Sequence, residues 1–548
     1  MGRPVADLVL TLALGACWGG GAPDQILVNG KIFTADPARL WVGGIAIRGD
    51  RIVAVGASDS LRGLAGPRTQ LRDLGARMVI PGINDAHAHV GPVPRAVTVA
   101  TTPDAGLREV VDSLARVSRR RPRGTWLITT IGDRVLDDPR ANRFFLDSVV
   151  PDHPAVLESW SGHEAILNSA ALGALGLGHE TRDPLGGHFG RAGGSGPGAG
   201  AGALDGRLSE YAWWNTRRRL SSGVGDSAAR ADLRDYAAQA ARFGITSVQD
   251  MNTALSATRA VFLLHGVDGP IRWRVIRFPL TGPDGRALAD LRERRARPGG
   301  ELDVSGTKYI LDGTPVERGA LMRHAYADRP GWRGELNLPR DTLRAIVTEA
   351  LGSRDQLLVH AVGDSAIRLL LSVMTAAAPD STWRTLRPRL EHGDFLTPDL
   401  VPLARRLGAI VVQNPAHFAV PALLRRRYPA ELAAHVQPLR SLLAAGIPIA
   451  LGSDGPMNPY LNIMLAVTHP ADPSEALTRE QAVTAYTRGS AYAEFAERDL
   501  GTLTPGMLAD LTVLSQDIFD VPVSALPQTV SVLTLVGGRA VYDAGVVK

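Results

Sequence analysis

Residues 78–90 read MVIPGINDAHAHV. An apolar run ends in Asn-Asp and leads into two histidines one residue apart. On a strand, side chains alternate faces, so His87 and His89 project the same way. Two imidazoles side by side at a strand end suit a metal ion, but two donors cannot close a site. Where the other donors lie decides the fold.

Seven more short apolar, β-branched runs follow. They are ITSVQDM (245–251), RWRVIRF (272–278), KYILDG (308–313), LLVHAVGD (357–364), PRLEHGD (388–394), AIVVQNP (409–415) and PIALGSDGP (448–456). With MVIPGIND (78–85) they make eight, and helical patterns separate them. Eight parallel β/α units close a (β/α)8 TIM barrel. Residues 91–240 do not fit this count and read as a large insertion after the first barrel strand. It holds two strand-like runs, TWLITTIGD and AVLESWSGH, and a low-complexity glycine stretch at 186–206 that reads as a mobile loop. Residues 26–80 and 500–548 share another texture, alternating strands broken by glycine turns. The two ends therefore predict one composite β-sandwich domain, with the barrel over 81–499 between them.

In a parallel barrel, chemistry sits at the C-terminal ends of strands. Those ends carry His87 and His89, Lys308, His360, His392 and Asp454. Four neutral imidazoles and a carboxylate suit Zn2+ or another divalent metal, one or two ions per chain. Lys308 is the odd member, because an ammonium repels a cation. Yet among 60 basic residues the only lysines are Lys31, Lys308 and Lys548. A chain that otherwise uses arginine keeps an amine here. Unlike guanidinium, an amine loses its proton and reacts. Reaction with CO₂ gives a carbamate whose two oxygens bridge two metals.

Three further residues are candidate substrate contacts. His163 lies in WSGHEA on the insertion, Asp312 follows the Lys308 strand in LDGTP, and His417 follows VVQNP.

Bulk properties exclude other classes. The net charge of +5 comes with arginine runs that no aromatics interleave, so nucleic acid is not an expected partner. The single cysteine, Cys17, leaves no internal disulfide. It ends MGRPVADLVLTLALGAC, a short basic and apolar leader of the signal-peptide kind. LGAC resembles a bacterial lipobox, which predicts a lipid anchor on Cys17, a tether over 18–25 and an extracytoplasmic enzyme. A mis-called start would leave it cytoplasmic.

PGINDAHAHV, KYILDGT, LLVHAVGD, RLEHGD and LGSDGP, in this order and flanked by split β segments, resemble the metal-dependent amidohydrolase superfamily. The finer pattern is similar to the amidohydrolase-3 (YtcJ-like) family, which includes N-substituted formamide deformylases. Further matches are ILVNGKIFTADP, SGHEAILNSAAL, GITSVQD and GTLTPGMLADLTVLSQD. The resemblance covers residues 26–548. It implies a (β/α)8 barrel with a composite β-sandwich, and hydrolysis of C–N bonds in a small molecule. It implies metal ligands at His87, His89, His360 and His392, a carbamylated Lys308, and Asp454 as ligand and general base. The glycine-rich 193–203 stretch departs from the family pattern. Two other readings stay open: hydrolysis of cyclic amides, esters or lactones on the same site, and a surface lipoprotein that binds ligands without turnover. A homodimer is left open.

Overall fold

The computed structural model describes residues 21–547 apart from 93, 95, 194–201, 268 and 434. The leader with Cys17, and most of the glycine-rich stretch, lie outside the described residues. No helix among those described is long and apolar enough to cross a membrane.

The barrel strands are β1 (Ile83–Ala88), β2 (Ile245–Asp250), β3 (Arg272–Arg277), β4 (Leu302–Ile310), β5 (Leu357–Ala361), β6 (Arg389–His392), β7 (Ile410–Gln413) and β8 (Ile449–Leu451). They pair in chain order from β1 to β8, all parallel. The seam between β8 and β1 is bridged just past the end of β8. There the Asp454 amide donates to the His87 carbonyl at 2.9 Å, and the Ser453 amide donates to Asp85 at 2.8 Å. Gly452 permits this approach, since a Cβ there would lie 2.4 Å from the His87 nitrogen.

Two strand expectations need correction. MVIPGIND is not one strand. Met78–Pro81 pairs antiparallel with Leu511–Leu514 in a different sheet, and the barrel strand starts at Ile83. Gly82 marks the break, where a Cβ would stand 2.1 Å from Thr246 Oγ1. One apolar run therefore serves two sheets. The strand expected from Lys308 begins at Leu302, because Gly306 interrupts the apolar pattern without ending the ladder.

Met78–Pro81 belongs to a six-stranded sheet with Lys31–Phe33, Trp41–Val42, Leu511–Leu514, Ser531–Val536 and Arg539–Asp543. A four-stranded sheet holds Gln25–Val28, Gly44–Arg48, Arg51–Gly56 and Gln70–Asp73. Leu27, Ile45 and Ile47 of the smaller sheet share one buried apolar cluster with Val79, Leu511 and Leu533 of the larger. The two ends of the chain thus bury one another's apolar faces.

Between β1 and β2 the chain builds a third sheet of six strands, running from Ala96–Thr98 to Leu204–Glu210. Trp126–Ile131 and Ala155–Ser159 are the two runs visible in the sequence; the other four are shorter or glycine-rich. This sheet has an apolar cluster of its own around Val110, Leu114, Leu127, Leu146 and Leu157. Two helices, Tyr211–Ser222 and Asp226–Arg242, return the chain to β2.

Candidate metal centre and active site

A cavity of about 950 Å³ opens over the C-terminal ends of the barrel strands. His87, His89, Lys308, His360, His392, Asp454 and His417 all line it. So do Trp160, His163 and Trp214, which the insertion supplies.

Each donor reaches the cavity through a local device. His87 and His89 share the inward face at the end of β1. His392 ends β6 and Asp454 follows β8, with φ of 69° and 40°, left-handed values that cost an L-residue roughly 1–2 kcal/mol. Both side chains face the cavity.

The distances fit a cation. His87 Nε2 lies 3.4 Å from His89 Nε2, and Asp454 Oδ1 lies 3.7 and 3.2 Å from the same two atoms. Ligands 2.0–2.1 Å from a tetrahedral ion stand about 3.4 Å apart. The outer nitrogens are engaged elsewhere. His87 Nδ1 sits 2.6 Å from Glu391 Oε2, His89 Nδ1 sits 3.0 Å from Thr253 Oγ1, and His392 Nδ1 sits 2.8 Å from Asn414 Oδ1. Carboxylate and amide oxygens only accept, so Nδ1 of His87 and of His392 carries the proton and Nε2 presents a lone pair. Burial pushes the His87 imidazolium down to about 4, which keeps the ring neutral and ready to bind. Burial alone would raise the Asp454 carboxyl, but the imidazoles of His87, His89 and His392 outweigh it and hold the group well below the usual carboxylate range. Lys308 is buried, and desolvation lowers its ammonium to about 8.

Among the described residues, two sets of donors gather within 4.8 Å: His87, His89 and Asp454, and His392, His417 and Asp454. His360 stands next to them, its ring 4.5 Å from that of His392 and its Nε2 3.4 Å from the Gly313 carbonyl oxygen.

The candidate substrate contacts separate. His163 faces the cavity, with Nδ1 3.0 Å from both oxygens of Glu210 and its ring 4.7 Å from His360. His417 faces it too. Asp312 does not: it is fully buried and accepts the backbone amides of Leu321, Val362 and Gly363, each at 2.9 Å. It holds the turns that follow β4 and β5, so the substrate contact expected of it is corrected to a structural role.

The sequence reading missed Glu391. Its carboxylate links His87 to Arg389, whose Nε donates to Oε1 at 2.7 Å, and all three are buried. Burial pushes this carboxyl up, but Arg389 and His87 hold it well below the usual range. Glu391→Gln keeps an oxygen for Arg389 but no longer fixes the His87 tautomer. Metal affinity is expected to fall about 10–100-fold with the fold intact. A chelator competition titration checks this, and affinity within twofold of wild type removes Glu391 from the site.

A family model described as the amidohydrolase family (Amidohydro_3) matches residues 70–542. Protein LONG AFTER FAR-RED 3 of Arabidopsis thaliana is 29% identical over 562 residues, covering 95% of this chain and 92% of that one. N-substituted formamide deformylase of Arthrobacter pascens is 26% identical over 547 residues, covering 95% and 98%. Among solved structures, an uncharacterized metal-dependent hydrolase from Pyrococcus horikoshii superposes with a TM-score of 0.69 at 21% identity, covering 91% of this chain and 99% of that one. That likeness establishes the fold.

Proposed function

We propose, from the premise that this chain belongs to the amidohydrolase family, that it hydrolyses an amide- or formamide-type C–N bond in a small molecule, with zinc as the metal. The carrying observation is the convergence of His87 Nε2, His89 Nε2 and Asp454 Oδ1 at tetrahedral-edge distances, with the outer nitrogens of both rings already engaged. A metal held by His87, His89 and Asp454 would supply an acidified water and polarise the scissile carbonyl.

This chain's own residues do the rest. Asp454 is ionised at neutral pH and accepts the proton of the attacking water at a carboxylate oxygen. It returns that proton to the leaving nitrogen as the C–N bond breaks. His163, held by Glu210, presents its Nε2 edge to the cavity as a contact for the substrate's polar end. Trp160, Leu461 and Met464 wall the same cavity and give an apolar N-substituent somewhere to lie. That wall, with the similarity to a formamide deformylase, is what favours an N-substituted amide over a lactone.

Protein dialysed against a chelator should lose hydrolysis of N-substituted formamides and regain it with zinc. The screen includes N-acyl amino acids, cyclic amides and lactones as competitors for the assignment. Full turnover by metal-free protein would sink the mechanism, and preference for a lactone would sink the substrate class.

The enzyme is also proposed to be tethered outside the cytoplasm through Cys17, on the strength of the leader pattern alone. Labelled palmitate should mark the wild type and not Cys17→Ser; equal labelling rejects the anchor.

A further inference from the structure

We infer that Arg217 anchors a carboxylate carried by the substrate, so that the amides cleaved here bear an anionic group beside an apolar one. This deepens the hydrolase reading above and rests on it. Arg217 lies on the helix Tyr211–Ser222 and lines the cavity together with Trp214, one turn earlier on the same face. Its neighbour places it. Arg218 Nη1 donates to Asp290 at 2.6 Å, and its Nη2 donates to the carbonyls of Phe278 at 2.9 Å and Asn252 at 3.2 Å. The residue after Asn252, Thr253, meets His89 Nδ1 through its hydroxyl. The helix is therefore clamped to the loop that holds His89, and Arg217 stands on that side of the cavity.

The guanidinium has donors to spare. Among the described residues its one charged partner is Glu158, through a single contact of 3.3 Å. Both side chains line the cavity and are about a quarter exposed, 28% and 26%. An ion pair this open to water contributes little to stability. The other two arginines on the cavity wall are committed: Arg134 donates to the Asp104 carbonyl at 3.0 Å, and Arg426 is paired with Asp133. Arg217 thus offers most of its five N–H donors to a molecule entering the cavity. Its planar fork matches the two oxygens of a carboxylate and binds them as a bidentate pair. An incoming carboxylate takes the place of Glu158, which is exposed enough to be left to water. The cavity, at about 950 Å³, is at the upper end of ordinary ligand sites and has room for an amide with a further charged group. Leu461 and Met464 line it as well and keep a place for the apolar part.

The test is calorimetry on full-length protein stripped of metal, where a carboxylate cannot bind by ligating the ion. Two matched pairs serve as probes. N-formylleucine against N-formylleucinamide puts the charge on the amine side, and N-isobutylsuccinamic acid against N-isobutylsuccinamide puts it on the acyl side. In at least one pair, wild type should bind the carboxylate about 10–100-fold more tightly than its neutral mate, the size of a hydrogen-bonded contact to a charged group. The pair that shows the preference locates the charge. Arg217→Gln should erase it. Glu158→Gln removes the competing anion and should sharpen it, an arm that stands even if Arg217→Gln fails to fold. Equal binding within both pairs by wild type overturns the assignment. So does a preference that survives in Arg217→Gln, or a Glu158→Gln protein that binds the carboxylate no better than wild type. With zinc restored, the ratio of kcat/KM within the preferred pair should follow the binding ratio from variant to variant. Protein that binds with the preference but cleaves neither member refutes the hydrolase reading and leaves the anchor standing.

Discussion

Asp454→Asn should lower kcat by about 10²–10⁴-fold, the range general-base catalysis contributes. The substitution keeps the size of the side chain and one oxygen. Asparagine still offers that oxygen to a cation, so the His87–His89 ion should be retained. What the amide cannot do is take up a proton at Oδ1 or Oδ2. The Ser453 and Asp454 amides that bridge β8 to β1 use backbone groups and are untouched, so thermal unfolding should move little. Turnover measured at saturating metal separates lost chemistry from lost metal. A loss below about tenfold would place the base elsewhere, with His163 the next group to substitute, because its imidazole faces the same cavity.

Lys308→Arg should abolish metal binding and activity together. Lys308 is buried, and burial lowers its ammonium to about 8, so a neutral amine is accessible near neutral pH. The amine nitrogen bonds to the carbon of CO₂, one proton leaves to solvent, and an anionic carbamate remains. A guanidinium forms no carbamate and keeps its charge. A unit positive charge about 4 Å from a divalent ion is repelled by roughly 8 kcal/mol at an effective dielectric of 20, twice the figure for a pair of unit charges. Lys308→Glu supplies an anion at the same place and should retain part of both metal and turnover. Bicarbonate added during metal reconstitution should raise wild-type activity and leave Lys308→Glu unchanged. Normal metal content and near wild-type turnover in Lys308→Arg would exclude the carbamate.

The barrel was legible because its strands end in chemistry. His87, His360, His392 and Asp454 each follow an apolar run and Lys308 opens one, and a periodic strand reading finds such runs. The same reading misjudged what breaks period two. Glu391 and His392 are neighbours, and strict alternation sends them to opposite faces. With φ of 69° at His392 both contribute to one site. The Glu210 partner of His163 was hidden for a related reason: it ends a strand that the sequence pattern did not show, 47 residues away. Asp312 misled because a carboxylate beside a ligand strand looks the same whether it meets substrate or three backbone amides. His417 was visible as a histidine after a strand end, but its convergence with His392 depends on a turn that Asn462 fixes from another helix.

The pairing of Ile80 with Thr512 sets the order in which this molecule can be completed. Strands joined across nearly the whole chain pay their loop-closure entropy late. Without Leu511–Leu514, Met78–Pro81 would lack its antiparallel partner and leave an edge open beside Lys31–Phe33. Such an edge is a template for pairing with another chain. A nascent or truncated protein lacking Leu511–Leu514 should therefore aggregate, even with every metal donor already synthesised.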